Sequence, residues 1–188
     1  MRIVAGRHRG RSLKTPDDLA VRPTADRTRE ALFNILMGGR LSAEGNRRLP
    51  EARVLDAFAG TGALGLEALS RGAAQAVFME NYAPAIEICR ANIRNLGEEA
   101  RATILACDVL HPHRAPAPCD IVFLDPPYNQ GLAEKAVAAL LKAGWIASGT
   151  LLAIELMKSD PFEVPSGFSE LDARNYGKAR LLFLRYEG

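Results

Sequence analysis

The chain has 188 residues, 48% of them hydrophobic, which is enough to bury a core of ordinary size within one domain over residues 1–188. A formal net charge of +2 excludes no partner class, but three cysteines without a Cys-x-x-Cys spacing argue against a disulfide scaffold or a zinc ribbon. No apolar run is long enough to cross a bilayer, and the start Met1-Arg2-Ile3-Val4-Ala5-Gly6-Arg7 lacks a signal peptide's apolar stretch, so a cytoplasmic protein is expected.

Residues 2–14 alternate small, apolar and basic side chains around Gly6 and Gly10, which predicts a β-ribbon or arm. Arg2, Arg7, Arg9, Arg11 and Lys14 lie there without an acidic residue, and Arg22, Arg27 and Arg29 follow. Such an excess suits a phosphate-binding surface or, equally, a solvated basic arm. Pro16 and Pro23 interrupt regular structure. Thr24 is a candidate N-cap for a helix through Met37, with Leu32, Phe33, Leu36 and Met37 on its apolar side and Gly38-Gly39 at its end. Residues 40–52 read as a polar loop. The chain therefore divides into a basic ribbon-and-helix extension over 1–40 and a core over 53–188.

From Arg53 the pattern becomes alternating strand and helix. Strand signals fall at 53–58, 75–80, 102–107, 120–125 and 150–157, with helical patterns between the first three and again at 131–143. The alternation predicts an α/β fold, a mostly parallel sheet covered by helices on both faces. Phe168–Arg174 and Lys178–Tyr186 flank Asn175-Tyr176-Gly177 and read as a hairpin on the sheet edge, giving about seven strands with one antiparallel edge strand. Cys89, Cys107 and Cys119 read as small buried residues. His111-Pro112-His113 reads as loop, and no metal is expected.

Two turns carry the chemistry. Val54-Leu55-Asp56-Ala57-Phe58-Ala59-Gly60-Thr61-Gly62-Ala63-Leu64-Gly65 reads as a buried strand entering a Gly-rich turn and a helix. Glu80 closes the next strand, where an acid can hold ribose hydroxyls. By itself the pattern fits a dinucleotide as well as another adenosine ligand. Asp56, however, would face a pyrophosphate poorly and could instead help hold an ammonium group or orient the turn. Asp108, ending the third strand, could accept a hydrogen bond from an adenine amine. Hydride transfer gives no reason to expect Asp125-Pro126-Pro127-Tyr128 at the end of the strand Asp120-Ile121-Val122-Phe123-Leu124. Together these features favour S-adenosylmethionine over a dinucleotide.

The second turn suits methylation of an exocyclic amine, whose lone pair is delocalised. The Asp125 carboxylate and the Pro126 carbonyl, held by the fixed φ of proline, can bind the amine hydrogens and stabilise the charge that develops as the methyl arrives. An exposed Tyr128 ring can stack on the planar group, and such stacking is worth about 1–3 kcal/mol.

The chain resembles the class I S-adenosylmethionine-dependent methyltransferases, and within them the RsmD family. The resemblance lies in Arg2-Ile3-Val4-Ala5-Gly6 through Arg9-Gly10-Arg11, the block from Arg22-Pro23-Thr24 to Phe33-Asn34, the block from Asp56 to Gly72, Asp125-Pro126-Pro127-Tyr128, Gly144-Trp145 and the final strands. It implies a Rossmann-like methyltransferase sheet and transfer to N2 of a guanine in small-subunit (16S) ribosomal RNA. It implies that Asp56, Phe58, Ala59, Gly60, Thr61 and Gly62 hold the methionine end of the cofactor, Glu80 with Asn81 the ribose, and Asp108 with Val109 the adenine. Asp125, Pro126, Pro127 and Tyr128 would hold the flipped guanine. Arg2, Arg7, His8, Arg9, Arg11, Lys14, Arg22 and Arg27 would grip RNA, either naked rRNA or a small-subunit particle, and nothing demands more than a monomer. The rival readings are an amino-methyltransferase acting on DNA adenine or cytosine, a glutamine methyltransferase acting on protein, and a non-catalytic RNA-binding assembly factor.

Overall fold

The computed structural model describes residues 1–15, 26–38, 41, 49–128 and 130–188. Pro16, Arg22, Pro23, Thr24 and Gly39 lie outside the described residues, so the expected N-cap is not placed. Helix α1 (Asp26–Met37) precedes strand β1 (Arg53–Ala57), and the alternation then runs α2 (Ala63–Ser70), β2 (Gln75–Glu80), α3 (Ala83–Leu96), β3 (Ala102–Ala106), β4 (Ile121–Leu124), α4 (Leu132–Lys142) and β5 (Leu151–Met157). The hairpin β6 (Phe168–Tyr176) and β7 (Ala179–Tyr186) completes the chain.

The seven strands form one sheet in the order β3-β2-β1-β4-β5-β7-β6. Strands β1 to β5 pair in parallel, as the strand–helix alternation requires. The antiparallel strand expected at the edge is β7, and it lies one place further in. It pairs antiparallel with both β5 and β6, so β6 forms the edge and runs with the rest. A short hairpin must place its two strands side by side in opposite directions, and β7 carries the apolar Leu181, Leu182, Phe183 and Leu184 that belong inside. Chain order reverses between β1 and β4, the position at which an open α/β sheet leaves a crevice at its carboxyl edge.

Two apolar layers sandwich the sheet. One joins α1, α2 and α3 to Val54, Phe78, Ile121 and Phe123, with Phe33 of α1 stacked obliquely against Phe123 at 5.5 Å between ring centroids. The other joins α4 and the 107–119 connection to Leu55, Val122, Leu124 and Ile154. Trp145 is fully buried there and its indole N–H donates to the His113 carbonyl at 2.8 Å, which fixes the connection against α4's end. The segment expected to be a polar loop contributes Leu41 and Leu49, both buried. Cys89 and Cys119 are buried and Cys107 half-buried.

The N-terminal segment forms the expected ribbon. Ile3 N–H donates to Arg11 O at 2.9 Å and Gly10 N–H to Ile3 O at 2.9 Å, while Ile3 and Leu13 enter the core. Its anchor is Glu67 of α2. That fully buried carboxylate accepts the Val4 N–H at 2.8 Å, the Ala5 N–H at 3.0 Å and the Arg71 guanidinium at 2.7 Å, with Arg29 Nε at 3.7 Å. Arg29, read as part of a phosphate-binding excess, is completely buried and donates to the Arg2 carbonyl at 2.6 Å. It ties α1 to the ribbon. Gly6, at φ +81°, lies so close to α2 that a Cβ would come within 1.9 Å of Ser70 O.

Removing one partner from a buried charge cluster leaves the others desolvated. Glu67→Ala should therefore lower unfolding stability by roughly 3–5 kcal/mol, read as a drop in the urea midpoint, with the ribbon amides of Val4 and Ala5 losing exchange protection.

Candidate functional site

The Gly-rich turn joins the end of β1 to the start of α2, and both strands beside it contribute a carboxylate. Phe58 adopts φ +64°, a conformation that costs a bulky residue about 1–3 kcal/mol and persists only where its surroundings impose it. What imposes it is a set of bonds. Ala59 N–H donates to Met79 O at 3.0 Å, Gly60 N–H to Glu80 Oε2 at 2.8 Å, and Gly65 N–H to Asp56 Oδ2 at 2.8 Å. Glu80 Oε1 also accepts the Asn81 and Tyr82 N–H groups, each at 2.9 Å. The glycines permit close approach behind the turn: a Cβ on Gly62 would lie 2.7 Å from Cys89 Sγ, and one on Gly65 would lie 2.4 Å from the Phe78 ring.

In front of the turn lies a cleft of about 600 Å³. Of the fourteen positions expected to hold cofactor or substrate base, thirteen line it, from Asp56 through Thr61, Glu80 and Asn81 to Asp108, Val109 and the turn Asp125 to Tyr128. Gly62 is the exception. It faces Cys89 and Phe78, so its contribution is packing behind the turn rather than contact in front.

The carboxylates differ in state. Burial pushes Asp56 well above the ordinary carboxylate range. The Asp125 and Glu80 carboxylates push the same way, while the Gly65 and Leu64 N–H groups pull it down. Asp108, half-exposed just past β3, is lowered by the Leu110 N–H and by His111, whose Nδ1 lies 2.9 Å from its Oδ2. Among the described residues no group of three His, Cys, Asp or Glu side chains could hold a metal ion.

The Leu64 and Gly65 N–H groups in the first turn of α2 are taken by Asp56, so they are not open to another acceptor. A pyrophosphate would meet the Asp56, Glu80 and Asp125 carboxylates instead of open donors. A cation that also carries hydroxyl and amine donors suits the same walls, and the volume suits a nucleoside-sized ligand.

Asp125 follows β4 directly, with Pro126 buried and Pro127 exposed. Tyr128, expected as an exposed ring, is half-buried, and its hydroxyl donates to Glu155 Oε1 at 2.8 Å. Sequence reading missed Glu155, although it is the one ionisable side chain in the apolar strand Leu151–Met157. It also missed Tyr82, Leu110 and Gln130, which join the cleft from loops, and Leu132, at the start of α4, none of which carries a motif.

The basic residues divide by position. α2 runs from the cleft to the opposite edge of the sheet, eight residues or about 12 Å. The ribbon tip sits at that far edge, where Arg7 N–H donates to Ser70 O at 2.9 Å. Arg7 and His8 lie 2.6 and 2.5 Å from the buried Glu98, and Arg11 donates to Asn95 O at 2.5 Å, so these three are held by α3 and its end rather than extended. Arg2, Arg9 and Arg27 are exposed. The chain then returns to the cleft side: Lys14 N–H donates to Asn92 Oδ1 at 2.7 Å, and the Asn92 amide donates to Thr61 O at 3.0 Å in the turn itself. Arg22 lies outside the described residues.

The family described as conserved hypothetical protein 95 matches residues 1–185. A protein of Haemophilus influenzae named ribosomal RNA small subunit methyltransferase D is 33% identical over 181 residues, covering 94% of this chain and 89% of its own length. The Escherichia coli K12 protein of the same name is 37% identical over 155 residues, covering 82% of this chain and 74% of that protein. The solved structure of a putative methyltransferase, yhhF, from Escherichia coli superimposes with a TM-score of 0.83 at 34% identity, over 100% of this chain and 98% of that one.

Each carboxylate should hold its own part of the turn. Glu80→Ala is expected to raise exchange of the Gly60 amide by about tenfold or more while the Gly65 amide keeps its protection, measured by hydrogen exchange. Equal loss at both would mean that the turn opens as one unit.

Proposed function

The chain belongs to the conserved hypothetical protein 95 family and is a methyltransferase, and from that premise we propose that it methylates the exocyclic N2 amine of a guanine in 16S ribosomal RNA, using S-adenosylmethionine. The observation that carries the reading is the shared cleft: a Gly-rich turn whose helix end is filled by Asp56, and an Asp-Pro-Pro-Tyr turn on the facing wall. The names of the relatives from Haemophilus influenzae and Escherichia coli support rRNA as the substrate. S-adenosylmethionine supplies an electrophilic methyl on a cationic sulfur. An rRNA substrate makes the cytoplasm the place of work.

Asp56 and the turn through Thr61 would take the methionine end, Glu80 with Asn81 the ribose, and Asp108 with Val109 the adenine. Asp125 and the Pro126 carbonyl would accept the two amine hydrogens of an unstacked guanine, drawing the nitrogen lone pair toward the methyl and stabilising the positive charge that forms. Tyr128 would stack on the base. A guanine within structured RNA must leave its stack to reach this cleft. The exposed Arg2, Arg9, Lys14 and Arg27 would meet phosphates. Arg7, His8 and Arg11, already engaged on α3 and its end, would contribute less.

The test is transfer of labelled methyl to small-subunit particles lacking the modification, run beside naked rRNA, duplex DNA and protein, followed by nucleoside analysis. N2-methylguanosine is expected. Label in DNA or protein would overturn the substrate, and no label despite cofactor binding would favour a non-catalytic assembly factor. Asp125→Ala should cut turnover roughly 100-fold or more with cofactor affinity retained.

The raised Asp56 gives a pH dependence of definite sign. Above the ordinary carboxylate range the folded protein holds a proton on Asp56 that the unfolded chain releases, so rising pH costs stability until Asp56 ionises. A cation bound beside Asp56 favours the ionised form and expels that proton. Affinity for S-adenosylmethionine should therefore rise with pH, by at most about tenfold per unit, and level off above the raised Asp56 value. Asp56→Asn should flatten the curve, as titration calorimetry in buffers of different ionisation enthalpy would show.

A further inference from the structure

Strand β5 is apolar along its buried length except at Glu155, and a carboxylate in that setting is retained only where its bonds repay desolvation. Glu155 is 6% exposed and is not among the residues that line the cleft. Its Oε1 accepts the Tyr128 hydroxyl at 2.8 Å, and Tyr128 does line it. The register explains the reach. Leu124 of β4 pairs with Ile154 of β5, so the chain that leaves β4 as Asp125-Pro126-Pro127-Tyr128 rises directly beside Glu155.

We propose that Glu155 is a positioning residue for methyl transfer: its buried carboxylate holds the Tyr128 ring against the cleft wall in the orientation the acceptor base needs. The inference rests on the functional reading above. Two prolines fix the backbone that carries Tyr128, but a tyrosine side chain still turns about two bonds. A hydrogen bond at the far end of the ring, to a strand in the middle of the sheet, removes that freedom before the base arrives. The ring is thus held at both ends. This acts on alignment in the chemical step rather than on cofactor affinity.

The test compares methylation kinetics of the unaltered chain on unmodified small-subunit particles with those of Tyr128→Phe, Glu155→Leu, Glu155→Gln and the double variant Tyr128→Phe/Glu155→Leu. Tyr128→Phe keeps the ring and removes only the hydroxyl, so it reads the bond even if Glu155→Leu folds poorly. Both single leucine and phenylalanine variants should lose about tenfold in kcat with KM for S-adenosylmethionine within about twofold, and the double variant should be no worse than either. Glu155→Gln, whose amide oxygen still accepts the phenol proton, should recover most of the loss. Full activity in Tyr128→Phe, or losses that multiply in the double variant, would overturn the proposal while leaving the functional reading intact. Absence of transfer by the unaltered chain would overturn both.

Discussion

Everything at the carboxyl edge depends on a turn held between two carboxylates. Asp56 belongs to β1 and reaches forward to Gly65 in α2, while Glu80 belongs to β2 and reaches sideways to Gly60. Because adjacent parallel strands fix both acids, the strained Phe58 backbone and the helix start have little room to relax. This arrangement also takes the Gly60, Leu64 and Gly65 N–H groups, donors on which an anionic ligand would rely. The same Gly-x-Gly-x-x-Gly that permits a dinucleotide elsewhere is here denied to a pyrophosphate because a carboxyl group of its own strand already takes N–H groups at the start of the helix. That distinction comes from Asp56, not from the glycines.

The fold was largely legible because its signals are local and periodic. Buried runs such as Val54-Leu55 and Ile121-Val122-Phe123-Leu124, separated by helical spacings, determine strands, helices and hence a parallel sheet. The place of β7 was less legible, since which member of a hairpin pairs with β5 depends on apolar side chains whose partners lie some thirty residues away. The site divides in the same way. Turn motifs identify Asp56, Glu80 and Asp125 by position relative to strand ends. Tyr82 and Gln130 reach the cleft through loop geometry, which leaves no periodic trace. Glu155 left a signal, a lone charge in an apolar strand, but its meaning requires knowing that Tyr128 stands beside it.

Charge counting was misleading for a physical reason. Clustered arginines in a sequence read as a surface, yet Arg29 is buried as the counter-charge of Glu67, and Arg7 and His8 face Glu98. A short extension without a core of its own must be tied to the sheet. Here the ties are made of its polar backbone and its cations together, through Glu67, Ser70, Asn92 and Glu98. The basic residues of the ribbon thus act first in folding. Those outside these ties, Arg2, Arg9 and Arg27, keep their charge for a partner.

This division has a consequence for what the enzyme can recognise. The ribbon tip lies at the opposite edge of the sheet from the cleft, separated from it by the length of α2, and Lys14 lies on the returning limb near the turn. On the proposed reading, phosphates gripped at the ribbon tip and the base held at Asp125 are therefore separated by about 12 Å or more. A free nucleoside can occupy the cleft but cannot reach the ribbon tip. Discrimination then comes from an RNA long enough and rigid enough to present phosphates at one edge while one guanine enters at the other, a selection by shape in which the cleft itself needs to read only a single base.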